Sequence, residues 1–134
     1  MTTRLEIAEN VYKILGRDNE FWCKIYRVRG YHYDQEKNKE KAKESRLKSL
    51  DLARLMLSDS VYSGQEKEIL FIIAAMNNFI GQKDSALIYL DKASLLTYEN
   101  KKWKEENVKG LDRYLTDLIK QYKEFIRKEK EDEG

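Results

Sequence analysis

Residues 69–80 read Ile-Leu-Phe-Ile-Ile-Ala-Ala-Met-Asn-Asn-Phe-Ile, bounded by the charged run Glu66-Lys67-Glu68 and by Gly81. The strongly apolar part, Ile69 to Met76, is far short of the ~20 residues that a membrane-crossing helix needs. A helix that is apolar nearly all round has to be buried on more than one face. One face, Leu70, Ile73 and Ala74, suits a partner in a helical hairpin. That leaves Phe71, Ile72, Ala75 and Phe79 to be covered by something else.

Working outward, Ser58 to Gln65 reads as a loop in which Ser63 and Glu66 have the spacing of a capping box, and the helix runs to Ile80 and stops at Gly81. Upstream, Thr3 and Glu6 form another capping box, opening a helix with Leu5, Ala8, Val11, Tyr12 and Leu15 on one stripe and Gly16 at its end. Asp18 or Asn19 caps a second helix to about Tyr33, a polar turn follows over 34–39, and a third helix runs to about Leu57. Downstream, a fifth helix covers about 84–97 and a sixth starts near Lys102. The chain is thus expected to be all-α, with about six helices in one domain over residues 1–134. Its parts are a leading helix at about 4–16, a first hairpin at 19–57, a second at 66–97 and a long C-terminal capping helix at 102–130. The last residues, Arg127 to Gly134, read as a fraying charged tail.

Composition agrees. There is no proline, and 37% of residues are charged and 41% apolar, a helix former's mixture. A domain of this length buries roughly two-thirds of the surface its unfolded chain exposes. Twenty-six basic against twenty-four acidic residues leave a net charge of +2, too little for a general polyanion-binding surface. The one cysteine, Cys23, lies among Phe21, Trp22 and Ile25 and reads as a small apolar core group. The polar start Met-Thr-Thr-Arg-Leu-Glu lacks the apolar stretch of a secretion signal, and a cytoplasmic address is expected.

The sequence repeats. Gly30, Ala42 and Ser49 return as Ala74, Ala86 and Ala93, each 44 residues later (74−30, 86−42, 93−49), and Ala8 precedes Ala42 by 34. Two hairpin helices approach most closely where neither presents a large side chain. Gly30 inside a helix costs about 1 kcal/mol relative to alanine, so a packing role accounts for it. The order Leu70, Ile73, Ala74, Gly81, Ala86, Leu90, Ala93 resembles the tetratricopeptide repeat. Tyr26, Gly30, Tyr33, Ala42 and Ser49 look like a weaker copy, and Ala8, Tyr12 and Leu15 like the second helix of a preceding unit. The chain departs from the pattern at Arg46, where a large apolar residue is usual, and at Asn77, where tyrosine is usual. More loosely, the helix order is similar to the helical half of an uncharacterised bacterial family whose other half is a cysteine-rich metal ribbon; no such cysteine motif occurs here.

The tetratricopeptide resemblance implies a groove lined by the first helix of each unit and filled by a peptide or protein helix. The matching positions are Lys24, Arg27, Val28, Tyr31 and Gln35, then Phe71, Ile72, Ala75, Asn78 and Phe79. The basic and asparagine residues that grip a terminal carboxylate in some relatives are largely missing. Val108, Leu111, Leu115, Leu118, Tyr122 and Phe125, spaced alternately by three and four, make a heptad seam on the last helix. Two partners fit that seam: the groove of the same chain, closed by a lid, or a second copy in a homodimer.

Other readings are weaker. Lys24 to Tyr33 interleaves bases with aromatics, as single-strand nucleic-acid binders do, but Tyr26, Gly30 and Tyr33 already have packing roles. His32 stands alone rather than among metal ligands. Glu36 to Lys48 alternates charges three and four apart, the mark of a solvated helix face. Phosphate loops, nucleophile–base pairs and metal-ligand spacings do not occur. The sequence therefore points to a protein-binding module, not an enzyme, with no cofactor, no metal and no membrane partner.

Overall fold

The computed structural model describes residues 6–7 and 19–133. The leading helix expected over 4–16, with its Thr3/Glu6 cap, lies outside the described residues except for Glu6 and Ile7, which are helical. Among the described residues there are five α-helices and no strand: α1 (Asn19–Gln35), α2 (Lys39–Leu57), α3 (Glu66–Phe79), α4 (Lys83–Ser94) and α5 (Glu105–Glu133), with a short 3-10 turn at Ser60–Tyr62. The chain is all-α, with a long C-terminal helix.

The pairs α1/α2 and α3/α4 form hairpins closed by the same turn. After α1, the Lys37 N–H donates to the Asp34 carbonyl (3.0 Å) and the Asn38 N–H to that of Tyr33 (2.8 Å). After α3, Gly81 donates to Asn78 (3.0 Å) and Gln82 to Asn77 (2.8 Å). Both are Schellman caps, whose turning residue takes a left-handed φ, here 61° at Lys37 and 87° at Gly81. The two turning residues are themselves 44 positions apart (81−37).

All six small residues of the repeat are buried. The departures from the repeat are buried too. Arg46 donates to the Asp34 carboxylate at 2.5 Å and passes over Gly30, where an added methyl would lie 3.0 Å from Arg46 Cγ. Asn77 donates its side-chain N–H to the Ile73 carbonyl at 2.9 Å, within its own helix.

Helix α3 is buried on two faces and joins two cores. Ile69, Ile72, Ile73 and Met76 pack with Cys23, Leu50, Ala53, Met56 and Tyr62. Leu70 and Ala74 pack with Ala86, Leu90, Ala93 and, from α5, Ile119 and Ile126. Ile73 thus turns toward α2, not toward its own hairpin partner as expected.

Helix α5 is pinned where it meets α3. Buried Lys67 donates to Asp112 Oδ1 (2.8 Å) and Thr116 Oγ1 (2.6 Å), and the same Asp112 oxygen accepts the Tyr98 N–H at 2.8 Å. These contacts also explain why α4 ends at Ser94 rather than near Thr97. The loop after it is drawn off by Asp112 and by Gly64, whose carbonyl accepts the Glu99 N–H at 2.7 Å. Gly64 has φ 93°, and a Cβ there would lie 2.8 Å from the Glu99 carbonyl oxygen, so glycine is required. Glu66 caps this turn by accepting the Gly64 N–H, in place of a Ser63/Glu66 box.

The expected fraying tail is instead helical to Glu133. Ile126 is buried, and ion pairs Lys123–Asp91, Lys130–Asp84 and Lys83–Glu133 tie this end to α4. Among the described residues no helix is long and apolar enough to cross a membrane.

Candidate interaction groove

Between its two buried faces α3 carries a third stripe. Glu68, Phe71, Ala75 and Asn78 follow one another at three- and four-residue spacing, so they share a face, and all four are only half-buried. On one side stands α1, whose Lys24, Arg27 and Tyr31 also share a face. Glu20, Lys24 and Arg27 lie close enough to act electrostatically on Glu68. On the other side stands α5. Phe71 and Tyr122 meet with ring centroids 5.8 Å apart, Phe125 lies 6.4 Å beyond Tyr122, and the Asn78 amide donates to the Tyr122 hydroxyl at 2.9 Å. Burial pushes that hydroxyl's pKa up, and the Asn78 bond pulls it partly back. Phe125, 57% exposed, adjoins Tyr122 here, and Tyr114, 60% exposed, lies three turns before it on the same face of α5.

Two buried polar side-chain atoms on α1 and α3 are unmet. Among the described residues, Arg27 Nε and Asn78 Oδ1 are buried without a hydrogen-bond partner. One is a donor and the other an acceptor, and buried groups of either kind are rarely left unpaired.

The candidate groove residues are not all brought together. Lys24, Arg27, Tyr31, Phe71 and Ala75 lie on or beside the groove. Ile72 does not: it is 7% exposed and belongs to the core with α2, because one step along a helix turns a side chain by ~100°. Phe79 is exposed at the far end of α3, its ring beneath the Arg46 guanidinium at 4.3 Å. It borders a separate recess of about 370 Å³ lined by Asp34, Lys39, Lys43, Arg46 and Ile80.

The seam on α5 is also rotated. Leu115 is buried and Val108, Leu111, Leu118 and Tyr122 are half-buried, but Phe125 is exposed while Ile119 and Ile126 take the buried positions. A strict heptad stays on one face only if the helix supercoils; a straight helix drifts ~20° per heptad. Over the span from Val108 to Phe125 that drift carries Phe125 out and Ile126 in. Helix α5 therefore stands beside the groove as a wall, with Tyr122 of the seam against Phe71 and Asn78.

In the Lys24–Tyr33 cluster, the aromatic faces are engaged by the chain's own cations: Lys48 and Arg29 over Tyr26, and Lys41 over Tyr33. Cys23 is buried against Ser49, whose hydroxyl donates to the Cys23 carbonyl at 3.0 Å, and burial pushes its thiol pKa up. Sequence reading missed Glu68 and the inward turn of Tyr122, because the stripe they complete is defined only once α1 and α5 flank α3. Comparison with protein-family models, curated proteins and solved structures finds no match to this chain.

Proposed function

We propose that this protein is an interaction module that holds a peptide or a partner's helix in the groove between α1, α3 and α5, in the manner of tetratricopeptide-like hairpins. The observation that carries this reading is the exposed apolar wall of Tyr114 and Phe125 beside the half-buried stripe of Glu68, Phe71, Ala75 and Asn78 on α3. Apolar side chains on one edge of the ligand cover the aromatic wall.

The test uses the full chain to select binders from a library of helical and extended peptides. Tyr114→Asp with Phe125→Asp should abolish capture while leaving stability within about 0.5 kcal/mol, since both positions are exposed. Peptides held equally by that variant would place binding elsewhere. Light scattering reads the rival use of the same wall: a particle of twice 16.0 kDa that returns to single mass in the variant would assign the wall to a second copy.

A further inference from the structure

Glu20 and Glu68, at one end of the groove, also line a recess of about 290 Å³ together with Tyr98, Lys102 and Trp103. That size is at the low end of the ~300–1,000 Å³ typical of ligand pockets. A volume of that order matches one long side chain. Its walls combine two chemistries. Tyr98 and Trp103 present neighbouring rings, centroids 6.0 Å apart and planes inclined by 46°, with Trp103 about half exposed. The lining also includes two carboxylates on different helices, Glu20 at the start of α1 and Glu68 on α3.

Neither carboxylate has an ion pair or hydrogen bond among the described residues. Burial raises the Glu68 pKa first, and Glu20 raises it further by like charge; Arg27 and Lys24 only partly offset this. The Lys102 side chain lines the recess but pairs with neither acid. A recess with two acids outside any ion pair and a half-exposed indole suits a cation with a flat face. A planar guanidinium meets both needs, because it bonds carboxylates through a fork of N–H groups and stacks on aromatic rings.

We infer that this recess takes the arginine side chain of a peptide lying in the groove, with Glu20 and Glu68 as carboxylate partners and Trp103 as the stacking ring. The inference rests on the groove being a peptide site, and it adds that the partner is basic at this end.

The test is a titration of the full ¹⁵N-labelled chain with N-acetylarginine amide, read at the Trp103 indole N–H. The buried Trp22 indole serves as internal control. A saturable shift is expected, with the uncharged isostere N-acetylcitrulline amide at least about tenfold weaker, and Glu68→Gln about tenfold weaker for the arginine probe, as befits loss of a charge-assisted contact. Circular dichroism of Glu68→Gln should show unchanged helicity. A response that does not saturate, or is equal for arginine and citrulline, overturns the inference.

Peptide selection separates this failure from failure of the groove. Peptides that depend on Tyr114 and Phe125 but lack arginine enrichment, and that bind Glu68→Gln as tightly, remove the recess and keep the groove. A saturable arginine probe with no selectable peptide keeps the recess and removes the groove.

Discussion

The two hairpins are the same design filled with different chemistry. Each closes on the same cap, and each buries small residues at matching positions 44 apart. Where the first has Arg46, crossing Gly30 to reach Asp34, the second has Leu90, fully buried in the core that includes Ala74. Where the first has Cys23, bonded to Ser49 inside the hairpin, the second has Lys67, which reaches out of its hairpin to Asp112 and Thr116 on α5. The first hairpin is thus locked by internal polar pairs. The second is apolar inside and uses a buried charge to hold the next helix. A repeat fixes backbone geometry more tightly than it fixes what fills the crossing.

The largest break in that comparison should come from truncating the apolar crossing. Leu90→Ala, at a fully buried site, is expected to cost about 3 kcal/mol in urea unfolding. Arg46→Ala should cost less, about 1–2 kcal/mol, because Asp34 stays solvated and only the arginine stem's packing and one charged contact are lost.

Lys67→Met should cost as much, about 1–2 kcal/mol, since it leaves Asp112 with a lone Tyr98 N–H. Hydrogen exchange should show the loss concentrated in α5, and uniform loosening of all helices would contradict a role in docking that helix. Acid should act on the same contact. Burial raises the Asp112 pKa, but the Lys67 bond and the Tyr98 N–H outweigh it, so the folded-state value is lowered. A lowered value means the contribution is present above the unfolded pKa of about 3.9 and is lost as pH falls through the folded value. The urea midpoint should therefore drop in that acid window, and Lys67→Met should flatten the drop.

The smallest effect sharpens the comparison most. Gly30→Ala should destabilise the native chain slightly, because the new methyl presses on Arg46 Cγ at 3.0 Å and Nε at 3.1 Å. In an Arg46→Leu chain the same change should stabilise by about 1 kcal/mol, the helix-propensity gain of alanine over glycine. A double-mutant cycle reads the coupling directly. Equal effects in both backgrounds would show that Gly30 is not there for the arginine.

Much of this was legible in the chain. The all-α class, the hairpin boundaries to within a few residues and the small-residue crossings follow from periodicity, caps and the repeat. The groove was legible only in part. Phe71 and Ala75 were assigned to it from their positions, and so was Ile72, which lies one step around the helix and faces α2. The heptad reading of α5 chose Phe125 where the straight helix buries Ile126. Glu20 and Trp103, more than eighty positions apart, carried no joint signal.

The sequence by itself determined that residues 69–80 must be buried on more than one side, because no arrangement of a helix so apolar leaves it in water. Only the tertiary structure decided which neighbours cover it: α2 on one face, and α4 with α5 on another. The stripe from Glu68 to Asn78 is left between α1 and α5. Burial demand is a local property of composition and period. Its fulfilment depends on which helices the turns and the Lys67–Asp112 contact bring alongside.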